Sequence, residues 1–197
     1  DQEHYLNISP ELYLKRLIIG GYERIFEITK NFRNESIDTT HNPEFTMMEI
    51  YQAYADYEDM MALMEQLYER VAIEATGSAE VEYQGDTLDF SAPWPRMTMR
   101  EAIQEYGGFD VQELSDEEIR ERMEEHRAEL DSDYERGLAI AELFEEVAEE
   151  NLIQPVHIID HPEETTPLCM QHRDEDGLIE RFESFAAGME LCNAYTE

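Results

Sequence analysis

The sequence predicts an α+β domain, in which antiparallel hairpins alternate with helices. Extended runs with alternating apolar and polar residues come in pairs, as at 25–30 and from Phe45 onward. Between these pairs lie longer segments with apolar residues at helical spacing, such as 56–76 and 133–150. We therefore expect an antiparallel β-sheet flanked by helices.

Two helices are predicted from their capping residues and apolar spacing. The first begins at Ser9-Pro10-Glu11, with Ser9 as the N-cap and Pro10 in the first helical position, and it ends at Gly20-Gly21. The second is capped by Asp56 and runs to about Thr76. The stripe that we expect to face the core consists of Met60, Leu63, Met64, Leu67 and Val71.

Further along the chain, short strands alternate with acidic helices. A hairpin turns at 84–86, and Thr98 and Glu101 form a capping box. Helices follow from Ser115 and from about 133, and the carboxylates of the second are expected to be solvated, not a metal cluster. A buried strand at 154–159 ends at His161-Pro162, and two last strands turn at Gly188.

The domain organisation is predicted as one partial domain over 1–197, a length that allows a substantial core. It has a helix and a long hairpin in 1–55, a mainly helical segment with a small hairpin in 56–150, and closing strands in 151–197. The chain starts without methionine and stops within a predicted strand. We therefore expect it to be a piece of a larger protein.

The charge balance is strongly acidic, with 48 acidic against 14 basic residues and a formal net charge of -34. Such a balance ordinarily argues against a nucleic-acid partner. Because 42% of the residues are hydrophobic, acidic disorder is not the explanation. Molar salt screens repulsion to within ~3 Å, so we expect a salt-adapted source; a merely acidic mesophilic protein is the alternative.

Other sequence features favour a cytoplasmic protein. Cys169 and Cys192 fit no metal spacing and do not suggest a disulfide scaffold. No run is apolar enough to span a membrane, and no signal peptide is visible.

The stretch 26–54 is predicted to form a long antiparallel hairpin with an unusual loop. An ordinary hairpin needs only a short loop of turn residues, whereas the loop of this hairpin has about ten residues. The loop carries four charged or polar side chains, Arg33, Glu35, His41 and Asn42. Such a loop is expected to hold a ligand.

This stretch resembles motif 2 of the class II aminoacyl-tRNA synthetases, in the form found in lysyl-tRNA synthetases. The resemblance is carried by FRNE, then five residues, then HNPEFTMMEIYQAYADY. PELYLKRLIIGGYERIFEI precedes it, and LIQPVHIIDHPEETTPL and LIERFESFAAGMELCNAYTE follow it. The resemblance implies a class II catalytic core that activates lysine with ATP and Mg²⁺ and transfers it to tRNA(Lys). It also implies a homodimer in the full-length protein.

For ATP, the resemblance implies contacts from these residues: Arg33, Asn34, Glu35, His41, Asn42, Phe45, Glu190 and Leu191. Arg33 is the catalytic candidate, since a planar guanidinium can bridge the α-phosphate and the amino-acid carboxylate. Glu35 can accept a hydrogen bond from the adenine amino group, and Phe45 can stack on the ring. For Arg33, the alternative is a surface salt bridge with Glu35.

For lysine, the resemblance implies contacts from Glu11, Glu49, Tyr51, Asn193, Tyr195 and Glu197. Glu49 would meet the α-amino group, and Tyr51 shares its strand face. Glu197 would pair with the ε-ammonium. Glu11 has a competing explanation, because a carboxylate is favoured at a helix N-terminus.

The metal candidates are Glu183 and Glu190, which flank the Gly188 turn. Mg²⁺ is commonly held by one or two carboxylates together with substrate phosphates. Asn193 and Glu197 have the opposite strand parity to Glu190, so a shared pocket requires a β-bulge between Glu190 and Asn193. The alternative for both glutamates is an exposed acidic strand.

The resemblance also has departures. Motifs 1 and 3 and the anticodon-binding domain are absent from this sequence, so we expect the isolated chain to be inactive or nearly so. Rival functions are a paralogue that transfers lysine to a protein, and a non-catalytic regulator. Aspartyl- and asparaginyl-type relatives share the fold, but Tyr51 and Glu197 suit a cationic substrate.

Overall fold

A computed structural model describes residues 3–34, 37, 41–130 and 132–197 of the chain. The chain divides into two compact units, Asp1–Ala55 and Asp56–Glu197. Each unit combines helices with β-strands that are almost all antiparallel. The predicted α+β class is therefore confirmed.

The first unit contains helix α1, Glu11–Ile19, and strands β1, Arg24–Phe32, and β2, Glu44–Gln52. The two strands pair antiparallel in continuous register, with Arg24 opposite Gln52 and Phe32 opposite Glu44. This confirms the long hairpin that the alternating pattern predicts.

The start of α1 differs from the prediction by one residue. Pro10, not Ser9, is the N-cap, and its backbone is already helical at φ -78° and ψ -5°. The Ser9 hydroxyl still accepts a hydrogen bond from the Glu11 N–H at 3.1 Å. Proline tolerates this position because its missing N–H would have had no partner within the helix.

The second unit contains helices α2, Tyr57–Thr76; α3, Met99–Ala102; α4, Asp116–His126; and α5, Arg136–Val147. A π-helical turn, Ile103–Gly107, continues α3. Capping boxes close the N-termini of α2, α3 and α4, through Asp56, Thr98 and Ser115. These three helix starts are confirmed, whereas α5 begins about three residues later than predicted.

Six strands complete the second unit. Strands β3, Glu80–Tyr83, and β4, Asp86–Asp89, form the small predicted hairpin. Strands β5, Arg96–Thr98; β6, Val156–Pro162; β7, Leu178–Ala186; and β8, Met189–Tyr195, form a sheet in that order. Only β5 and β6 are parallel among the paired strands that the structure describes.

Strand β6 ends at Pro162, as predicted, but it spans Val156–Pro162 and therefore includes His161 and Pro162, which lie beyond the predicted range 154–159. Asp160 has a φ of 58°, and the register with β7 shifts between Ile159 and His161. After this bulge Pro162 pairs with Leu178 at the end of the strand. A proline is tolerated there because the ladder needs no further donor from it.

The main core lies between α3, α4, α5 and one face of the four-stranded sheet. Its fully buried members include Leu143, Phe144, Ile158 and Phe185. Burying each such side chain contributes roughly 1.5–3 kcal/mol. The core therefore fixes α5 against β6 and β7.

The predicted core stripe of α2 is only partly right. Met64 is buried, but Val71 is 54% exposed, and the other members of the predicted stripe are not fully buried. Met61, Glu65 and Ala72 occupy the buried face. The buried face of α2 includes a glutamate, so it does not coincide with the stripe of apolar residues. Apolar spacing cannot identify such a residue.

No described helix combines the length and the apolar character needed to cross a membrane.

Candidate functional site

At the loop end of the first hairpin, Arg33 and Phe45 contact each other. The Arg33 guanidinium lies over the Phe45 ring, 5.1 Å from its centroid, and its Nε donates to the Ile8 carbonyl at 3.4 Å. The Arg33 backbone N–H donates to the Pro43 carbonyl at 3.0 Å, which extends the hairpin beyond β1. The structure thus brings together a cation and an aromatic face that were both predicted to bind ATP.

An open pocket of about 480 Å³ lies beside this pair. It is lined by Leu6, Ile8, Phe32, Arg33, Asn34 and Pro43. Asn34, His41 and Asn42 are exposed, and Glu35 lies outside the described residues. The predicted ATP contacts of these four residues stay predictions.

Three predicted lysine-binding residues lie close together in the same unit. Glu49 accepts hydrogen bonds from Ser9 Oγ at 2.6 Å and from Tyr51 Oη at 2.9 Å. Ser9 Oγ also accepts from the Glu11 N–H, and the Glu11 carboxylate pairs with Lys15. The shared face of Glu49 and Tyr51 is confirmed, and Ser9 links it to the start of α1.

In the second unit, a β-bulge sets the geometry of the last hairpin. Glu183 pairs with Asn193 and Phe185 pairs with Glu190, while the register shifts between Ser184 and Phe185. The bulge required between Glu190 and Asn193 is therefore present, with Leu191 as the extra residue. It places Glu183, Glu190 and Asn193 on one face of the sheet.

Tyr195 and Glu197 follow Asn193 at the end of β8. Tyr195 pairs with Arg181 and is half-buried, and Glu197 is exposed two residues later. Arg181 Nε donates to Asn193 Oδ1 at 3.2 Å. The lysine contacts predicted for Asn193, Tyr195 and Glu197 stay predictions.

Four carboxylates from two directions share this face. Burial raises the pKa of Glu183 from 4.5 to about 7, Arg181 opposes the rise, and Glu190, Glu145 and Glu149 add to it. Burial likewise raises the pKa of Glu149 to about 7, with Glu145 and Glu190 adding to it. A partly buried group of carboxylates such as this one is stabilised either by protons or by a bound cation.

The donor set suits Mg²⁺, a hard cation that takes carboxylate oxygens and keeps open positions for phosphate. Glu183 and Glu190 could supply one oxygen each. Within the described ranges, no group of three or more His, Cys, Asp or Glu side chains is arranged to hold a metal ion. A two-carboxylate site completed by phosphate oxygens is compatible with this arrangement.

Several neighbours of the candidate residues could not be found by the sequence reasoning. Arg181 contacts both Glu183 and Asn193, and its only sequence signal is its shared strand parity with Glu183. Glu145 and Glu149 belong to the carboxylates that were predicted to be solvated, because these lie mainly on faces other than the apolar one. Their effect on Glu183 and their closeness to Glu190 depend on how α5 packs on the sheet, which spacing does not show.

Comparisons with known proteins agree over the whole chain. The family described as tRNA synthetases class II (D, K and N) matches residues 1–197. A lysine--tRNA ligase of Methanoculleus marisnigri is 50% identical over 198 residues, covering all of this chain and 39% of the relative. Lysine--tRNA ligases of Clostridium novyi and Saccharolobus solfataricus are 49% and 48% identical, again over all of this chain and over 39% and 40% of the relatives.

The chain thus spans about two fifths of the length of these relatives. The motif 2 hairpin and the closing β7–β8 hairpin both lie inside the matched region. The match over every residue shows that the chain belongs to the class II aminoacyl-tRNA synthetase family described for D, K and N.

Proposed function

We propose that this chain is part of the catalytic domain of a lysine--tRNA ligase. The reaction joins the lysine carboxylate to the α-phosphate of ATP, releases pyrophosphate, and then transfers the lysyl group to the 3′ end of tRNA(Lys). The observation that carries the proposal is the identity of about one half to lysine--tRNA ligases over the whole chain. The contacts among the candidate residues support it.

Arg33 is proposed to bind the α-phosphate and the lysine carboxylate together. Its planar guanidinium offers donors on two edges, so it can align attacking carboxylate and phosphate for in-line displacement. Negative charge that develops on the phosphate during attack strengthens the same contacts. Phe45, which the guanidinium already contacts, offers its ring to adenine.

Two carboxylates, Glu49 and Glu197, are proposed to recognise lysine. Glu49 is held by Ser9 and Tyr51, so its carboxylate is oriented before the α-amino group arrives. Glu197 is proposed to pair with the ε-ammonium. An uncharged analogue would leave this carboxylate unpaired, and such a site therefore discriminates strongly.

The carboxylates of β7 and β8 are proposed to hold Mg²⁺ with the ATP phosphates. When bound, Mg²⁺ supplies positive charge that neutralises phosphate oxygens and the close pair Glu183 and Glu190. Arg181 would then orient Glu183 from the side.

Three further properties are proposed for the full-length protein. It acts in the cytoplasm, where protein synthesis takes place, it forms a homodimer, and it comes from a salt-adapted source. The acidic balance of the chain supports the last proposal. The isolated chain is expected to lack turnover.

The experiment is ligand-dependent thermal stabilisation of the full-length protein that carries this chain, in high salt. Lysine, ATP and Mg²⁺ together should stabilise it by about 2.7 kcal/mol when ligands are at roughly a hundred times their Kd. Arg33→Ala should lose most of this stabilisation and of the lysine-dependent ATP–pyrophosphate exchange. Arg24→Ala, an exposed arginine in the same hairpin, is the matched control and should behave as the wild type.

Each outcome separates the candidate functions. An unchanged response in Arg33→Ala would remove Arg33 from the site. Stabilisation without exchange would indicate a regulator, and exchange followed by lysine transfer to protein but not to tRNA would indicate the paralogue. The absence of any response in the wild type would contradict the proposal itself.

A further inference from the structure

Beneath the β8 bulge lies a hydrogen-bonded series of buried and partly buried polar side chains with no assigned role in lysine activation. His157 is fully buried, its Nδ1 lies 2.7 Å from Ser184 Oγ, and its Nε2 lies 3.2 Å from Glu65 Oε1. Cys192 Sγ lies 3.2 Å from the same Ser184 hydroxyl. Ser184 and Cys192 form the last strand pair before the register shifts.

The hydrogen bonds in this series can run in only one direction, from Cys192 to Glu65. Glu65 is an acceptor that also receives hydrogen bonds from Arg96 at 2.9 Å and from the Trp94 N–H at 3.2 Å. His157 Nε2 must therefore donate to Glu65, which leaves Nδ1 to accept from the Ser184 hydroxyl. That hydroxyl in turn accepts from the Cys192 thiol.

The protonation state of His157 agrees with this order of hydrogen bonds. Burial lowers the pKa of His157 to about 3, so the ring is neutral. A neutral ring has one donor and one acceptor nitrogen, as this order requires.

A second contact reaches the bulge itself. Tyr68 on α2 donates its hydroxyl to the carbonyl of Leu191 at 2.9 Å, and Leu191 is the residue without a cross-strand partner in the register. The Tyr68 ring packs against Trp94 with centroids 5.7 Å apart, and Trp94 stacks on His157 at 5.2 Å. The extra carbonyl and the last regular pair are thus held from the same buried side.

We propose that Tyr68, His157, Ser184 and Cys192 are positioning residues that fix the β8 bulge and so aim Glu190 toward Glu183. They lie on the face of the sheet opposite the two glutamates, so they act on Glu190 through the backbone of β8. Without the bulge, the alternation of β8 would turn Glu190 to the other face of the sheet, away from Glu183. The inference rests on the proposed function only for the ligand, which is Mg²⁺ with ATP.

The experiment compares variants that remove single hydrogen-bond donors from the full-length protein. Tyr68→Phe keeps the ring, and so it should fold; Tyr134→Phe is the matched control, because its hydroxyl bonds to Asp116 at 3.1 Å, away from β8. Binding of Mn²⁺ in the presence of ATP is measured by electron paramagnetic resonance. Tyr68→Phe should weaken Mn²⁺ binding by about tenfold or more, the usual effect of removing a group that orients a metal ligand, while Tyr134→Phe should not.

Two further measurements keep the outcome unambiguous. Cys192→Ser retains a donor to Ser184 and should bind Mn²⁺ with the affinity of the wild type. Cys192→Ala lacks this donor and should bind Mn²⁺ more weakly. Amide hydrogen exchange at 190–192 should be faster in Tyr68→Phe than in Tyr134→Phe. Equal exchange and equal Mn²⁺ affinity in these two variants would overturn the inference, whereas absent lysine-dependent exchange in the wild type would count only against the proposed function.

Discussion

Gly137 lies in the first turn of α5, where its backbone N–H donates to Glu164 Oε1 at 3.3 Å. Among the described contacts, the N-cap residue Glu135 provides no side-chain capping bond, so Glu164 takes over part of that role from a distant turn. A Cβ at residue 137 would lie 2.1 Å from Glu164 Oε2 and 2.7 Å from Pro162 Cβ. The glycine is thus required by space, not by its backbone freedom.

Gly137→Ala is predicted to destabilise the protein by roughly 1–3 kcal/mol, the usual cost of overpacking. The sign is informative, because alanine in place of glycine within a helix normally stabilises by about 0.5–1 kcal/mol. Urea unfolding at constant high salt measures the change. The double variant Gly137→Ala/Glu164→Ala should recover part of the loss, and a single variant as stable as the wild type would contradict the contact.

At this scale, the sequence could identify residues inside a motif but not their long-range partners. Glu49 and Tyr51 were predicted from the family resemblance, strand alternation places them on one face, and their hydrogen bond confirms the shared face. The bond from Ser9 to Glu49 joins residues 40 positions apart. Nothing in the local pattern of either segment indicates it.

Strands and hairpins were more predictable than the helix faces that pack on them. The turn at Gly188 was predicted from the strand pattern, the bulge in β8 was required if Glu190 and Asn193 share a pocket, and both are present. The buried face of α2 was not, since Glu65 is buried through its bonds to Arg96 and His157. A charged residue becomes a core residue only when its partners arrive from other elements.

Glu149, in the 3₁₀ turn that follows α5, is predicted to make stability depend on pH. Its folded pKa of about 7 lies above the ordinary 4.5, so the folded state keeps a proton that the unfolded chain has already released. Stability contributed at low pH is therefore lost as pH rises from about 4.5 to about 7. Glu149→Gln should lose less over this range and be more stable at pH 8 by about 1–2 kcal/mol.

Chemical unfolding at pH 5 and pH 8, in the same salt and without divalent metal, measures this difference. Glu146→Gln is the control, since Glu146 is an exposed glutamate near the end of α5. The same pH dependence in wild type and Glu149→Gln would show that this carboxylate does not interact with the face of β7 and β8.

For the whole molecule, the net charge of -34 is the dominant electrostatic fact. The composition shows this net charge, but it does not show which charged side chains pair with one another. Among the 14 cations, these arginines of the second unit are paired with carboxylates: Arg70, Arg96, Arg100, Arg122, Arg136, Arg173 and Arg181. The remaining acidic groups therefore repel one another with little compensation.

Stability is predicted to rise with salt concentration. Going from ~0.1 M to ~1 M salt shortens the screening length from about 10 Å to about 3 Å, which weakens the repulsion between surface carboxylates. Raising NaCl over this range should increase stability by at least about 1 kcal/mol, or roughly 2–4 °C in Tm. Sucrose at equal osmolality is the control, and a salt effect no larger than that of sucrose would argue for the merely acidic alternative.

The contacts of Arg173 limit which residues could replace it during evolution. Its guanidinium reaches Glu180 through Nε at 2.5 Å and Asp56, the cap of α2, through Nη2 at 2.8 Å. Arg136 likewise serves Asp116 and two backbone carbonyls at once. A lysine ammonium has no planar fork to span such partners, so mutational drift from arginine to lysine is blocked at these positions, which fits a chain whose only lysines are Lys15 and Lys30.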